Sequence, residues 1–371
     1  MKFDEILTQI GEFGKYQKIV YTLLAFPCVS VGSFCMMLIV ILYTPEHRCK
    51  IPSLSNDSFA IQNDYHRRLI NETIPLSSDP TQPYDRCNVY VTDGSSFHAA
   101  NASRVMCTEW VYDKSVFTST FTSQINLVCR DSLKTSHIMM FFYFGLLVGD
   151  LILGMLSDSL GRHKSMYIAL VFLLISSVSV TFTPEFYSFA VLQFIIGGSG
   201  HGAFVAIAVI SMEMVGISKR IWTGMLIQAF FAIGVCYVAL TGFLARDWKW
   251  VNLASAIPCA LYLSFWWFVP ESPRWLISKG RKDDAIRIIK RTAKINKAHV
   301  PEHMYDVKED DVDVEMEGKL WHVFASPVLF KRTLILSFGW MIVSMTYYGV
   351  TMNAGNMGGS FFLNFFLMGF A

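Results

Sequence analysis

Apolar residues in this chain gather into long runs separated by short polar joints, a pattern of membrane-spanning helices rather than of amphipathic soluble ones. A hydrocarbon core takes about 20 consecutive apolar residues to cross. Seven stretches meet that length: Ile19–Tyr43, Ile138–Ser157, Ser165–Thr183, Phe186–Met212, Ile221–Ala245, Trp250–Val269 and Thr333–Met352. None of the seven contains Lys or Arg. An eighth apolar stretch, Gly358–Ala371, has fourteen residues, so the chain is expected to stop inside a helix. No short apolar region with a small-residue cleavage site opens the sequence, and the first span itself is expected to direct insertion.

The polar joints set the expected topology. Between the first two spans, Thr44 to His137 carries three glycosylation sequons, at Asn56, Asn71 and Asn101, beside Cys49, Cys87, Cys107 and Cys129. Sequons and cysteines together point to an oxidising face with two disulfides, and four cysteines allow three pairings. Positive charge gathers on the alternate joints, at Lys15 and Lys18, Arg162 and Lys164, and Lys219 and Arg220, as it does on cytoplasmic loops. Arg246 and Lys249 depart from this, partly offset by Asp247. The expected layout is a cytoplasmic N-terminus over 1–18, helix 1 over 19–43 and a large external loop over 44–137. Helices 2–6 follow over 138–270, a cytoplasmic linker over 271–331 and the start of a second lobe over 332–371. Within the linker, Lys282–Lys297 spaces Ile286, Ile289 and Ala293 helically, with Lys290, Arg291, Lys294 and Lys297 free to face phospholipid headgroups. The acidic stretch Asp306 to Glu317 reads as solvated linker.

Composition supports the membrane reading, since 53% of residues are hydrophobic and only 16% charged, against about 25% charged in soluble domains. A formal charge of +2 gives no nucleic-acid footprint. No phosphate-cradling Gly-x-x-x-x-Gly-Lys loop, zinc spacing or nucleophile motif occurs, so neither ATP-driven transport nor an enzyme is indicated, and no cofactor, metal or catalytic residue is expected.

The string Gly154-Met-Leu-Ser-Asp158-Ser-Leu-Gly161-Arg162-His163-Lys164 closes the second span and turns into the third. Gly154 suits close helix approach, Gly161 a sharp turn, and Asp158 a basic partner or helix N-terminus. This string resembles the cytoplasmic signature of the major facilitator superfamily, departing from it at Ser159 and His163. Further strings sharpen the resemblance to the carriers of organic cations, organic anions and carnitine. They are Thr44-Pro-Glu-His-Arg-Cys49, Cys107-Thr-Glu-Trp-Val-Tyr-Asp113, Ser119 to Cys129 (departing at Gln124 and Ile125), Glu213-Met-Val-Gly216 with Arg220 and Gly224, and Glu271-Ser-Pro-Arg274-Trp-Leu276.

The resemblance implies an all-α membrane protein of the major facilitator fold: a complete N-terminal six-helix lobe, helix 7 and a partial helix 8. It also implies that Asp158 and its basic neighbours latch two lobes together, and that Glu213, Arg220, Glu271 and Arg274 form an inner gate that re-pairs during transport. Tyr347 stands where relatives place a substrate-contacting tyrosine, and Phe204 and Ala208 where cation carriers often have larger aromatics. From the residues themselves, Tyr347 and Tyr348 are candidate cation-facing rings. Asp150 is a charge at membrane depth, either hydrogen-bonded in a helix interface or engaged in ion coupling. His201, among Gly197, Gly198, Gly200 and Gly202, reads as a mark of close helix packing before a proton site.

The expected function is alternating-access transport of small organic ions, cations or carnitine-like zwitterions, in the plasma membrane. Expected partners are that substrate, membrane lipid, and a second copy of the chain meeting it through the external loop, with no nucleic acid. A chain ending at Ala371 would be a transport-inactive binding or regulatory product, since one lobe cannot enclose a substrate. A seven-helix receptor fits less well, because its N-terminus would lie outside and its glycosylation signals would precede the first span.

Overall fold

The computed structural model describes residues 3–52, 54–77, 83–90, 103–301, 305, 324–352 and 358–370. Asn101, the acidic stretch Asp306–Glu317 and Ala371 lie outside the described residues. Among the described residues, six helices are long and apolar enough to cross a membrane. Five of them, α2 (Lys15–Ile41), α5 (Leu133–Leu160), α6 (Arg162–Thr181), α7 (Phe186–Glu213) and α8 (Arg220–Ala245), fall in the first 245 residues. The sixth is α12 (Pro327–Met352).

The expected span Trp250–Val269 is not one continuous α-helix. It begins as α9 (Trp248–Tyr262) and tightens into a 3-10 turn over Leu263–Trp267. Pro258 sits inside α9 and has no N–H to offer the Ala254 carbonyl four residues back. The Tyr237 hydroxyl of α8 donates to that carbonyl at 2.9 Å, so the orphaned acceptor is satisfied from a neighbouring helix.

Helix α7 lies at the centre of the bundle, packing against α5, α6, α2 and α8. Lipid tails are as apolar as leucine, so these helices are held by close van der Waals fit rather than by expulsion of water. Glycine supplies the fit. A Cβ on Gly149 of α5 would strike the Gly198 backbone of α7, and one on Gly145 would strike the Phe194 carbonyl. The α2–α8 crossing repeats the device, with Gly32 against the Phe231 carbonyl, Gly234 against that of Val29, and Ser33 Oγ donating to Gly234 O at 3.1 Å. Gly154 is different: nothing lies within 4 Å of its would-be Cβ. The α5 face that meets α7 runs through Gly145, Gly149 and Leu153, and Gly154 has turned away from it.

The large loop has its own core. Strand β1 (His47–Cys49) pairs antiparallel with β4 (Trp110–Tyr112), and β2 (Asn88–Tyr90) with β3 (Arg104–Met106). Of the three possible pairings, the disulfides are Cys49–Cys107 and Cys87–Cys129. Beneath them the buried Arg48 donates to both Asp57 oxygens at 2.9 and 2.5 Å. Gln62 N–H donates to His66 Nδ1 at 3.2 Å, which leaves the ring proton on Nε2 to be donated to Asp57 Oδ1 at 3.0 Å. Burial pushes the Asp57 carboxyl up, but Arg48, the Ile51 N–H and His66 outweigh it and hold it below the usual carboxylate range. Gln124, a departure from the family strings, accepts from the Trp248 indole at 3.2 Å and ties the loop to α9.

On the opposite face, α1 (Phe3–Ile10), α10 (Pro273–Ser278) and α11 (Lys282–Asn296) share a second apolar cluster: Ile6, Leu7 and Ile10 against Trp275, Leu276, Ala285 and Ile289. The apolar side of α11 is therefore covered by protein, with Ala285 rather than Ile286 at its centre, while Lys290, Arg291, Lys294 and Lys297 remain exposed. Helix α1 was not anticipated, although Ile6, Leu7 and Ile10 carry helical spacing behind Asp4 and Glu5 in the first turn.

Gly149→Val should lower the melting temperature in detergent by several degrees, because overpacking a tight seam costs about 1–3 kcal/mol. Gly154→Val, which meets no neighbour, should shift it far less. Equal shifts for the two variants would contradict the seam.

Candidate functional site

Two groups of polar residues lie on this scaffold, one at a helix boundary and one at membrane depth. The boundary group is built on the turn between α5 and α6. Gly161 takes φ +108°, closing α5 and opening α6. The Glu271 carboxylate lies directly over it, where a Cβ would stand, and accepts from the His163 and Ser272 N–H groups at 3.0 Å each. A carboxylate on a free helix N-terminal N–H is favourable both as a hydrogen bond and against the helix dipole. Trp275 Nε1 donates to Asp158 O at 3.0 Å, fastening the start of α10 to the end of α5.

Arg162 reaches from this turn to Asp158 Oδ1 at 3.0 Å and to Glu213 Oε2, at the end of α7, at 3.6 Å. The Arg162 and Glu213 side chains are 15% and 16% exposed whereas Asp158 is 76% exposed, so the inner pair is the better shielded and the outer one contributes little. Arg220 pairs elsewhere, with Asp4 of α1 at 2.5 Å. Arg274 makes no ion pair among the described residues. The four expected gate charges are thus spread over separate contacts rather than joined in one, because Glu271 is turned to the α6 backbone and Arg220 to α1. Among the described residues, Ser159 bonds only its own helix, at Leu156 O.

The membrane-depth group centres on Asp150. His201 of α7 places Nδ1 at 2.8 Å from both Asp150 oxygens, and each side chain is 35% exposed. The glycine seam makes this contact: Gly149, adjacent to Asp150, packs on Gly198, three residues before His201. The Phe204 ring lies 5.9 Å from the His201 ring and 6.0 Å from that of Phe231 on α8. Tyr143 precedes Asp150 by seven residues, two turns and about 10 Å along the same face of α5. Its ring is 5.2 Å from Tyr348, which lies 5.4 Å from Tyr347 and places its hydroxyl 3.8 Å from Cys35 Sγ.

His201 thus links Asp150 to Phe204, and Tyr143, two turns along the same α5 face, meets the tyrosine pair of α12; the sequence reading assigned neither His201 nor Tyr143 to the site. Glycines on both α5 and α7 were the available signal that Asp150 and His201 would meet. Chemically the locus offers one carboxylate, one imidazole and several ring faces, a set suited to an amine or quaternary ammonium rather than to an anion.

Glu271→Ala should cost about 1 kcal/mol of stability through the lost cap. Gly161→Ala should cost more, being strained at positive φ and blocked by the Glu271 carboxylate. Thermal shift assays on the double variant should give less than the sum, because removing Glu271 makes room for the new methyl group. Strict additivity would contradict the contact.

Residues 89–363 match the family described as "Sugar (and other) transporter". The chain is 33% identical to the "Organic cation transporter protein" of Drosophila melanogaster, over all of this chain and 68% of that protein. It is 30% identical to "Organic cation/carnitine transporter 2" of Mus musculus, over 99% of this chain and 68% of that protein. Among solved structures, the proton:xylose symporter XylE bound to 6-bromo-6-deoxy-D-glucose superposes with TM-score 0.60 at 15% identity, covering 94% of this chain and 64% of that one. The chain thus spans about two thirds of the length of these relatives. By sequence over its whole length and by fold, it belongs to the sugar (and other) transporter family of the major facilitator superfamily, in the branch of the organic cation and carnitine transporters.

Proposed function

We propose that this protein carries small organic cations, or zwitterions bearing an ammonium group such as carnitine, across the plasma membrane by alternating access. The observation that carries this reading is Asp150, an acidic side chain at membrane depth on the same helix face as Tyr143, with no Lys or Arg inside any apolar span. A desolvated cation over an aromatic ring gains about 0.5–2 kcal/mol, and a carboxylate nearby sets the sign of the charge that is accepted. Relatives bearing organic cation and carnitine transporter names support the same substrate class. In this scheme the Arg162–Glu213 and Arg162–Asp158 contacts are inner-face latches, and Asp158, the most exposed of the three, is the one free to exchange partners.

In cells expressing a chain with both lobes, saturable uptake of a radiolabelled quaternary ammonium compound should exceed that of an aromatic carboxylate. Asp150→Asn should abolish the cation uptake, and Tyr347→Ala should raise KM severalfold. Carboxylate uptake without cation uptake would sink the assignment.

The proposed orientation puts the N-terminus in the cytosol and the disulfide-closed loop outside. Asn56 is exposed beside the loop core, whereas Asn71 lies within helix α3 (Asp64–Thr73), where its Oδ1 accepts from the Tyr84 hydroxyl at 2.6 Å. In a secretory host, Asn56→Gln should therefore remove more glycosidase-sensitive mass than Asn71→Gln. A protein with no glycosidase-sensitive mass in any host would count against an external loop.

A further inference from the structure

Asp150 and His201 face each other where α5 and α7 are closest, yet each remains 35% exposed, so the pair is reachable from the bundle face. His201 Nδ1 lies 2.8 Å from both carboxylate oxygens and therefore carries a hydrogen that Asp150 accepts. The other ring nitrogen, Nε2, makes no hydrogen bond among the described residues. A second proton on the imidazole enters and leaves at Nε2 without breaking any protein contact. With that proton the pair is neutral overall, and without it the pair carries one net negative charge.

Among the described residues, no other charge is placed to answer that change. On the helices packed against α5 and α7, the titratable side chains at membrane depth are Tyr21, Cys28 and Cys35 of α2, Tyr167 of α6, Cys236 and Tyr237 of α8, and Tyr347 and Tyr348 of α12, with Tyr143 on α5 itself. All are of types that are uncharged at neutral pH, and none bonds Asp150 or His201. Asp158 and Glu213, the nearest acids along α5 and α7, are 8 and 12 residues away, with Arg162 beside both.

We propose that Asp150–His201 is a proton-for-cation exchange site, holding either an excess proton on His201 or an organic cation against Asp150. This rests on the cation reading above and adds a coupled ion to it. Loading the cation breaks the Nε2–H bond, the electron pair stays on Nε2 and the proton passes to water. The charge of the pair plus its occupant is zero before and after. A charge-neutral site suits membrane depth, where an uncompensated charge is costly, and repulsion between imidazolium and ammonium keeps the two occupants exclusive. The Phe204 ring, 5.9 Å from His201, offers a π-face to the cation in the second state.

The test uses the chain reconstituted in lipid nanodiscs with tetraethylammonium as the probe. Binding should tighten about tenfold per pH unit over the acidic range in which His201 holds its second proton, and level off once that proton is gone. Titration calorimetry in two buffers of different ionisation enthalpy should report about one proton released per cation bound in the acidic range. His201→Gln, which keeps a donor for Asp150, should bind without pH dependence and without proton release. Wild-type affinity independent of pH, with no proton released, overturns the exchange site and leaves the cation reading standing. Absence of tetraethylammonium binding at every pH overturns both. The wild-type measurements decide the matter even if the variant fails to fold.

Discussion

The close approach of α5 and α7 is the contact on which the rest of the bundle depends. In lipid, apolar side chains gain nothing by leaving one hydrocarbon phase for another, so two helices stay together only where their surfaces fit. Gly145, Gly149, Gly197 and Gly198 bring the backbones together, and α7 passes that position on to α6, α2 and α8. The same seam sets Asp150 against His201. One packing device thus supplies both the attachment of α5 and the geometry of its ionisable pair.

Several polar groups within the bundle take their partners from a neighbouring element. Asn252 of α9 donates to Ser177 O at 2.6 Å and Thr181 Oγ1 at 2.7 Å, both on α6. The carbonyl freed by Pro258 is taken by Tyr237, and the His163 N–H at the start of α6 by Glu271. Asn296 does the same across the face of α1 and α11, accepting from Tyr16 N and donating to Ile10 O and Gln17 Oε1. Helices joined by such bonds move as bodies, because sliding one past another would orphan a buried donor or acceptor at a cost of about 1–3 kcal/mol.

Much of this architecture was legible in the amino-acid order. Runs of apolar residues place the long helices within a few residues, since the bilayer thickness leaves little latitude. The turn Gly154–Lys164 declares itself through Gly161, the residue that tolerates its φ. Disulfide pairing was not legible, because four cysteines in one loop carry no spacing rule, and the strand pairs that select Cys49–Cys107 are only three residues each. The partner of Arg220 was hidden for a related reason: Asp4 is 216 residues away, on a helix too short to stand out from a polar terminus. Asp150 was visible as an anomaly, but its acceptor role towards His201 depends on the rotation of two helices about their axes, which near-uniform hydrophobicity does not specify.

The loop domain packs around its own small cluster of Cys49, Ile51, Ile70, Ile74 and Cys107, separate from the membrane core. Its ties to the bundle include Thr122 Oγ1 to Leu42 O at the end of α2 and Trp248 Nε1 to Gln124 at the start of α9, both within the first six-helix lobe. The loop also meets the helix Phe361–Phe370, where the Phe117 ring lies 5.5 and 5.1 Å from those of Phe361 and Phe362. It thus bridges the first six helices and a helix about 240 residues further along the chain, so any displacement of one against the other would have to break or slide the Phe117 ring contacts.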